Sequence, residues 1–270
     1  MATPPPDRSS TRARATSFVQ RLRRVVGRRE VALMALLAVF AGGIWGFLTL
    51  AEAVTEGETE TIDEQILLLF RTGDDPNDPV GPHALESAVR DVTALGSLTI
   101  VIFLTLAVAV YFLLDRRPKT ALFVVVAVGG GAGIGYALKF FYDRMRPDLL
   151  PPEALPADPS FPSGHAALAA VVYLTLGLLM ARTMPRRRLK VYVVALAVAL
   201  ALAVGVSRLY LGVHWPSDVL AGWTLGGLWA LGCWQAERRL QRRGLVERSA
   251  FVRRPRRAVN EQPAPVAEAE

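Results

Sequence analysis

The stretch TALFVVVAVGGGAGIGYAL, residues 120–138, carries no charge and is followed at once by Lys139. A helix rises 1.5 Å per residue, so about 20 apolar residues cross a hydrocarbon core about 30 Å thick. Five further runs without Asp, Glu, Lys or Arg occupy 31–51, 92–114, 159–181, 191–207 and 219–236. A length of 270 residues would also suit one or two soluble domains. Six runs of this kind exceed what a soluble core needs. The expected fold is all-α, an integral membrane bundle of six transmembrane helices over 31–236. Basic tails at 1–30 and 237–270 flank it.

The formal charge of +7 could suggest a nucleic-acid binder, but the position of the charges argues otherwise. Of 31 Lys and Arg, eight precede the first run, three lie at 116–119, five at 182–190 and nine after Glu237. If six helices alternate, all of these fall on one side. The positive-inside rule makes that side, and both termini, cytoplasmic. Segment 52–91 on the opposite side carries eleven acids and only Arg71 and Arg90. Orientation and attraction to anionic lipid account for the basic tails, so no nucleic-acid partner is expected.

The Arg-rich start, the first apolar run and Ala51-Glu52-Ala53 superficially resemble a cleaved signal. The run is about 21 residues, longer than the 7–15 usual for a signal, and reads as an uncleaved helix. Residues 1–30 and 245–270 read as disordered from their polar, Pro- and Arg-rich composition. In the loop 52–91, Ile62, Ile66, Leu69 and Phe70 fall at helical spacing, with Asp63 and Glu64 opposite. That pattern suits a short helix in the membrane interface or one docked on the bundle. Five prolines stiffen 143–161. The glycines of 129–135 read as a helix-packing face. Cys233, the single cysteine, reads as a packing residue.

Six ionisable residues stand where lipid penalises them: Lys139, Arg146, His165, Arg208, His214 and Asp218. Such residues at membrane depth usually mark function, often in a cavity. The alternation of helices brings all six to the outer face. Three cations suit a phosphate, and guanidinium groups match its geometry with paired hydrogen bonds. Pro162-Ser163-Gly164-His165 opens a helix, whose free amide groups favour an anion. Two imidazoles suggest displacement chemistry, one attacking phosphorus and one protonating the leaving oxygen. His214 and Asp218 are four apart, so the carboxylate can hold one ring nitrogen and present the other.

Lys139-x6-Arg146-Pro147, Pro162-Ser163-Gly164-His165 and Ser207-Arg208-x5-His214-x3-Asp218 resemble the three signature motifs of the type 2 phosphatidic acid phosphatase superfamily. The resemblance covers the helical region but not the tails. It implies that His214 becomes a phosphohistidine, that Asp218 orients it and that His165 is the general acid. Lys139, Arg146, Ser163, Gly164 and Arg208 would hold the phosphate, with Ser207 in support. It implies no cofactor and no metal, and a lipid phosphate or diphosphate in the bilayer as substrate. An outward site suits recycling of a lipid carrier such as undecaprenyl diphosphate, with phosphatidate and phosphatidylglycerol phosphate as other substrates. A phosphotransferase of the same superfamily is the alternative reading, and a non-catalytic transporter or scaffold a more distant one. The sequence sets no oligomeric state.

Overall fold

The structure, a computed structural model, describes residues 27–73, 75, 77–149 and 158–247. The tails expected to be disordered lie largely outside these residues. Among them the chain is helical, with one isolated antiparallel bridge, Arg71 to Pro79. It divides into two compact units at Gly57. The first holds α1, Arg28–Thr55, which ends where Gly57 takes a left-handed φ of 79°.

The second unit holds α2 (Glu60–Leu68), α3 (His83–Ala94), α4 (Leu98–Leu114), α5 (Pro118–Tyr142), α6 (Gly164–Thr183), α7 (Arg187–Tyr210) and α8 (Pro216–Arg242). Pro118 and Pro216 open α5 and α8, where a missing N–H costs nothing. Within α6, Ala170–Leu174 forms a π-helical turn. Large apolar side chains such as Phe103, Leu122, Val126 and Tyr192 point outward, as a lipid-facing surface requires.

Among the described residues, α1, α5, α6 and α7 are long and apolar enough to cross a membrane, and α3 with α4 adds a fifth if taken as one span. The run 92–114 is therefore not one straight helix. It breaks at 95–97 with a bend of 48°, and Ser97 caps α4 by accepting from the Ile100 N–H. Close packing holds this break: a Cβ on Gly96 would lie 2.4 Å from Val204 and 3.1 Å from the His165 carbonyl oxygen, so only glycine fits there. The helix α8 is 27 residues long, and it is less apolar than α1, α5, α6 and α7 and is not among the helices that qualify as spans.

Tight helix packing positions the site. Gly222 and Gly226 of α8 face α6, where added Cβ atoms would lie 2.7 Å from the Ser163 oxygen and 2.5 Å from Ala170. Asp218 stands one turn earlier on the same stripe. The glycine face of α5 packs as expected, with Gly131 against Trp229 and Val171. One expectation is corrected. In α2, Asp63 is buried together with Leu67, while Ile62, Glu64 and, just past its end, Leu69 are exposed, so the docked face joins one of the two acids to apolar side chains. Residues 245–247 also fold back: the Glu247 carboxylate accepts from the Thr120 N–H at 2.9 Å at the start of α5.

Candidate active site

Helix ends and the links between them supply the site. Lys139 lies in the last turn of α5, and Arg144 and Arg146 follow it. Asp158, Ser160 and Ser163 precede α6, whose first turn holds Gly164 and His165. Arg208 closes α7, His214 sits in the short link 211–215, and Asp218 lies in the first turn of α8. Ser163 occupies the position just before α6, and Pro162 precedes it.

Six of the expected residues converge. Lys139, Arg146, Gly164, His165, Arg208 and His214 line one cavity of about 600 Å³. Its other wall is apolar, formed by Gly131, Gly133, Gly135, Tyr136 and Leu168. Arg208 donates to Thr93 Oγ1 at 3.2 Å, and its buried Nε has no hydrogen-bond partner. That is unusual, since buried donors are nearly always paired.

Asp218 and Ser163 do not line the cavity. Asp218 is fully buried against His214. The Ser163 N–H donates to the Asp218 carbonyl oxygen at 3.0 Å, while its hydroxyl has no partner. The Ser207 hydroxyl turns back to the Val204 carbonyl oxygen at 2.6 Å.

The two nitrogens of His214 have different surroundings. Nδ1 lies 3.4 Å from Asp218 Oδ2 and 3.2 Å from Ser160 Oγ. Nε2 faces the cations, 3.2 Å from Arg146 Nη1. His214 precedes α8, so the pairing with Asp218 crosses the helix start instead of running along a helix face. Asp218 Oδ2 also accepts from Ser160 Oγ and from the Trp215 N–H at 2.9 Å, which fixes the link that carries His214. Burial pushes the His214 imidazole down to about 4, against the Asp218 carboxylate, which favours the charged ring. At neutral pH the ring is neutral and one nitrogen keeps its lone pair.

Four residues escaped the sequence reading. Asp158 accepts from Lys139 Nζ and, at 2.9 Å, from Arg146 Nη2. Ser160 bridges His214 and Asp218. Arg144 donates to Asp218 Oδ1 at 2.7 Å and to Asp63 Oδ2 at 2.8 Å. Asp63 in turn accepts from the Ser217 N–H at 2.9 Å. Arg144 left one signal in the sequence: it is a basic residue on the side expected to be poor in them.

Comparison with known proteins places the chain in a family. The family model described as PAP2 superfamily matches residues 120–242. Phosphatidylglycerophosphatase B of Bacillus subtilis is 30% identical over 186 residues, 67% of this chain and 85% of that protein. Undecaprenyl-diphosphatase of Sulfolobus acidocaldarius is 33% identical over 123 residues, 44% of this chain and 55% of that protein. The fold resembles the crystal structure of a transmembrane PAP2-type phosphatidylglycerolphosphate phosphatase from Bacillus subtilis. The TM-score is 0.66 at 27% identity, covering 76% of this chain and 98% of that one. With three motifs gathered at one cavity and a relative matched over most of its length, this membrane protein belongs to the PAP2 superfamily.

Proposed function

We propose that this chain hydrolyses a lipid phosphate or diphosphate at the outer face of a cell membrane, through a phosphohistidine on His214. The observation that carries the reading is the asymmetry of His214, with Nδ1 against a carboxylate and Nε2 toward the cations. A phosphate held by Lys139, Arg146 and Arg208 presents phosphorus to the Nε2 lone pair. The N–P bond forms as the bond to the lipid oxygen breaks, and His165 delivers a proton to that oxygen. Water then attacks phosphorus, His165 takes its proton, and phosphate leaves with His214 restored. Asp218 stabilises the imidazolium-like ring without titrating. Ser163 and Gly164 shape the start of α6 beside the phosphate.

The apolar wall continuing from the cations suits a hydrocarbon chain joined to the headgroup. The names of the relatives point to phosphatidylglycerol phosphate and undecaprenyl diphosphate, and an outward site favours the latter as a recycled carrier. In this topology the chain crosses six times, α3 with α4 forms one span, α8 is the last, and both termini are cytoplasmic. Phosphate release by the purified protein from phosphatidate, phosphatidylglycerol phosphate and undecaprenyl diphosphate tests the reading. Turnover of one or more is expected, and failure on all three contradicts it.

A further inference from the structure

Lys139 and Arg146, two of the three cations assigned to the phosphate, already share an anion. One carboxylate oxygen of Asp158 takes the Lys139 ammonium, and the other takes Arg146 Nη2 at 2.9 Å. Two oxygens on one centre, each on a different cation, is the contact that two oxygens of a phosphate would make. The side chains differ in access to water. Those of Lys139 and Arg146 are 7% and 6% exposed, that of Asp158 38%. The carboxylate can therefore leave toward solvent, whereas the cations cannot. The backbone would not need to follow. The carbonyl oxygens of Asp158 and Pro159 accept from Arg146 Nε at 3.1 Å and Lys139 Nζ at 2.9 Å, and these bonds hold the cations in place.

We propose that Asp158 is an internal substitute for the substrate phosphate: it holds Lys139 and Arg146 in the resting site and swings out when phosphate enters. This rests on reading the cavity as a phosphate site. Two buried cations without a counter-ion would be costly, so an internal carboxylate stabilises the empty fold. The same carboxylate lowers the apparent affinity for any phosphate, because only the fraction of molecules with Asp158 displaced can bind it. Burial raises the Asp158 carboxyl, but Lys139 and Arg146 outweigh this and hold it below its ordinary value, so it competes as an anion. The consequence for turnover is prompt release of inorganic phosphate, since Asp158 retakes the cations as the product leaves.

The experiment is titration of purified, detergent-solubilised protein with inorganic phosphate and with orthovanadate, followed by calorimetry, which requires no turnover. Asp158→Asn keeps the shape and removes the charge, and Asp158→Ala removes both, so the pair guards against a misfolded variant. Both variants should bind both anions about tenfold tighter than wild type, a difference of about 1.4 kcal/mol. Equal or weaker binding by the variants would overturn the proposal and make Asp158 a fixed support for the cations. Absence of binding in all three proteins would overturn the phosphate site itself, and this inference with it.

Discussion

Arg144 Nη1 lies 2.7 Å from Asp218 Oδ1, so the carboxylate beside His214 is also half of a buried ion pair. The other arm of the guanidinium reaches Asp63 Oδ2 at 2.8 Å and Thr59 Oγ1 at 3.2 Å. Arg144 therefore ties α2 and the start of α8 together through the acid that holds His214. Its side chain is 12% exposed and that of Asp218 is fully buried, so water does little to screen the pair.

Removing Arg144 should consequently do more than loosen a loop. Arg144→Gln leaves Asp218 and Asp63 as neighbouring buried acids without their shared cation, and breaking such a pair costs about 3–5 kcal/mol. The thermal unfolding midpoint in detergent should drop clearly, and phosphate release should fall with it. Arg144→Lys keeps the charge but cannot span both acids, so it should lie between the two. A glutamine variant as stable and active as wild type would remove Arg144 from the account.

The two histidines should separate by leaving group. Positioned proton transfer is worth about 10²–10⁴-fold, so His165→Ala should be slowed by that order on lipid esters. On p-nitrophenyl phosphate, whose leaving group needs little protonation, it should recover a measurable part of the rate. His214→Ala should stay at background on both. Equal loss by His165→Ala on both substrates would contradict the role given to His165.

Stability should respond to His214 as pH falls. The ordinary imidazole value of 6.5 is lowered to about 4 by burial. The unfolded chain therefore binds this proton before the folded one does. Above about 6.5 neither form is protonated and His214 has no effect; between 6.5 and 4 the folded state loses stability. Roughly 3 kcal/mol is the ceiling from this group, by 1.36 kcal/mol per pH unit. Midpoints measured from pH 7.5 to 4.5 should fall less steeply for His214→Asn than for wild type. Parallel curves would contradict the buried, neutral ring.

Much of this site was legible because lipid makes charge conspicuous. Lys139, His165 and Arg208 are exceptional simply by standing at the ends of apolar runs, and five of the six ionisable residues singled out in this way meet at one cavity. Asp158, Ser160 and Arg144 lie in a polar, proline-rich loop, where an acid, a hydroxyl or a base has no such contrast. Their meaning comes from contacts across long sequence distances, such as Ser160 with Asp218 and Asp63 with Ser217. The same limit explains α2. Its periodicity predicted a helix, but only the partner Arg144 reveals that the face carrying Asp63 is turned inward. The need for a glycine at the break was hidden too, because the side chain that packs against Gly96 is Val204, more than a hundred residues away.

The proposed orientation rests on the 25 basic residues expected on one side. In a Cys233→Ala background, Asn77→Cys should react with an impermeant maleimide on intact cells, and Arg187→Cys should react only after permeabilisation. Both positions are exposed, so access to the reagent decides the outcome. The reverse pattern would place the site in the cytoplasm.

A covalent intermediate on His214 can be trapped by rapid-quench labelling. Protein is mixed with ³²P-labelled lipid phosphate, denatured in alkali within a turnover, and the bound label is mapped by peptide. Wild type should carry acid-labile, alkali-stable phosphate on the peptide containing His214, and His214→Ala should carry none. Turnover by wild type without label at that peptide, or label that persists in His214→Ala, would contradict the account.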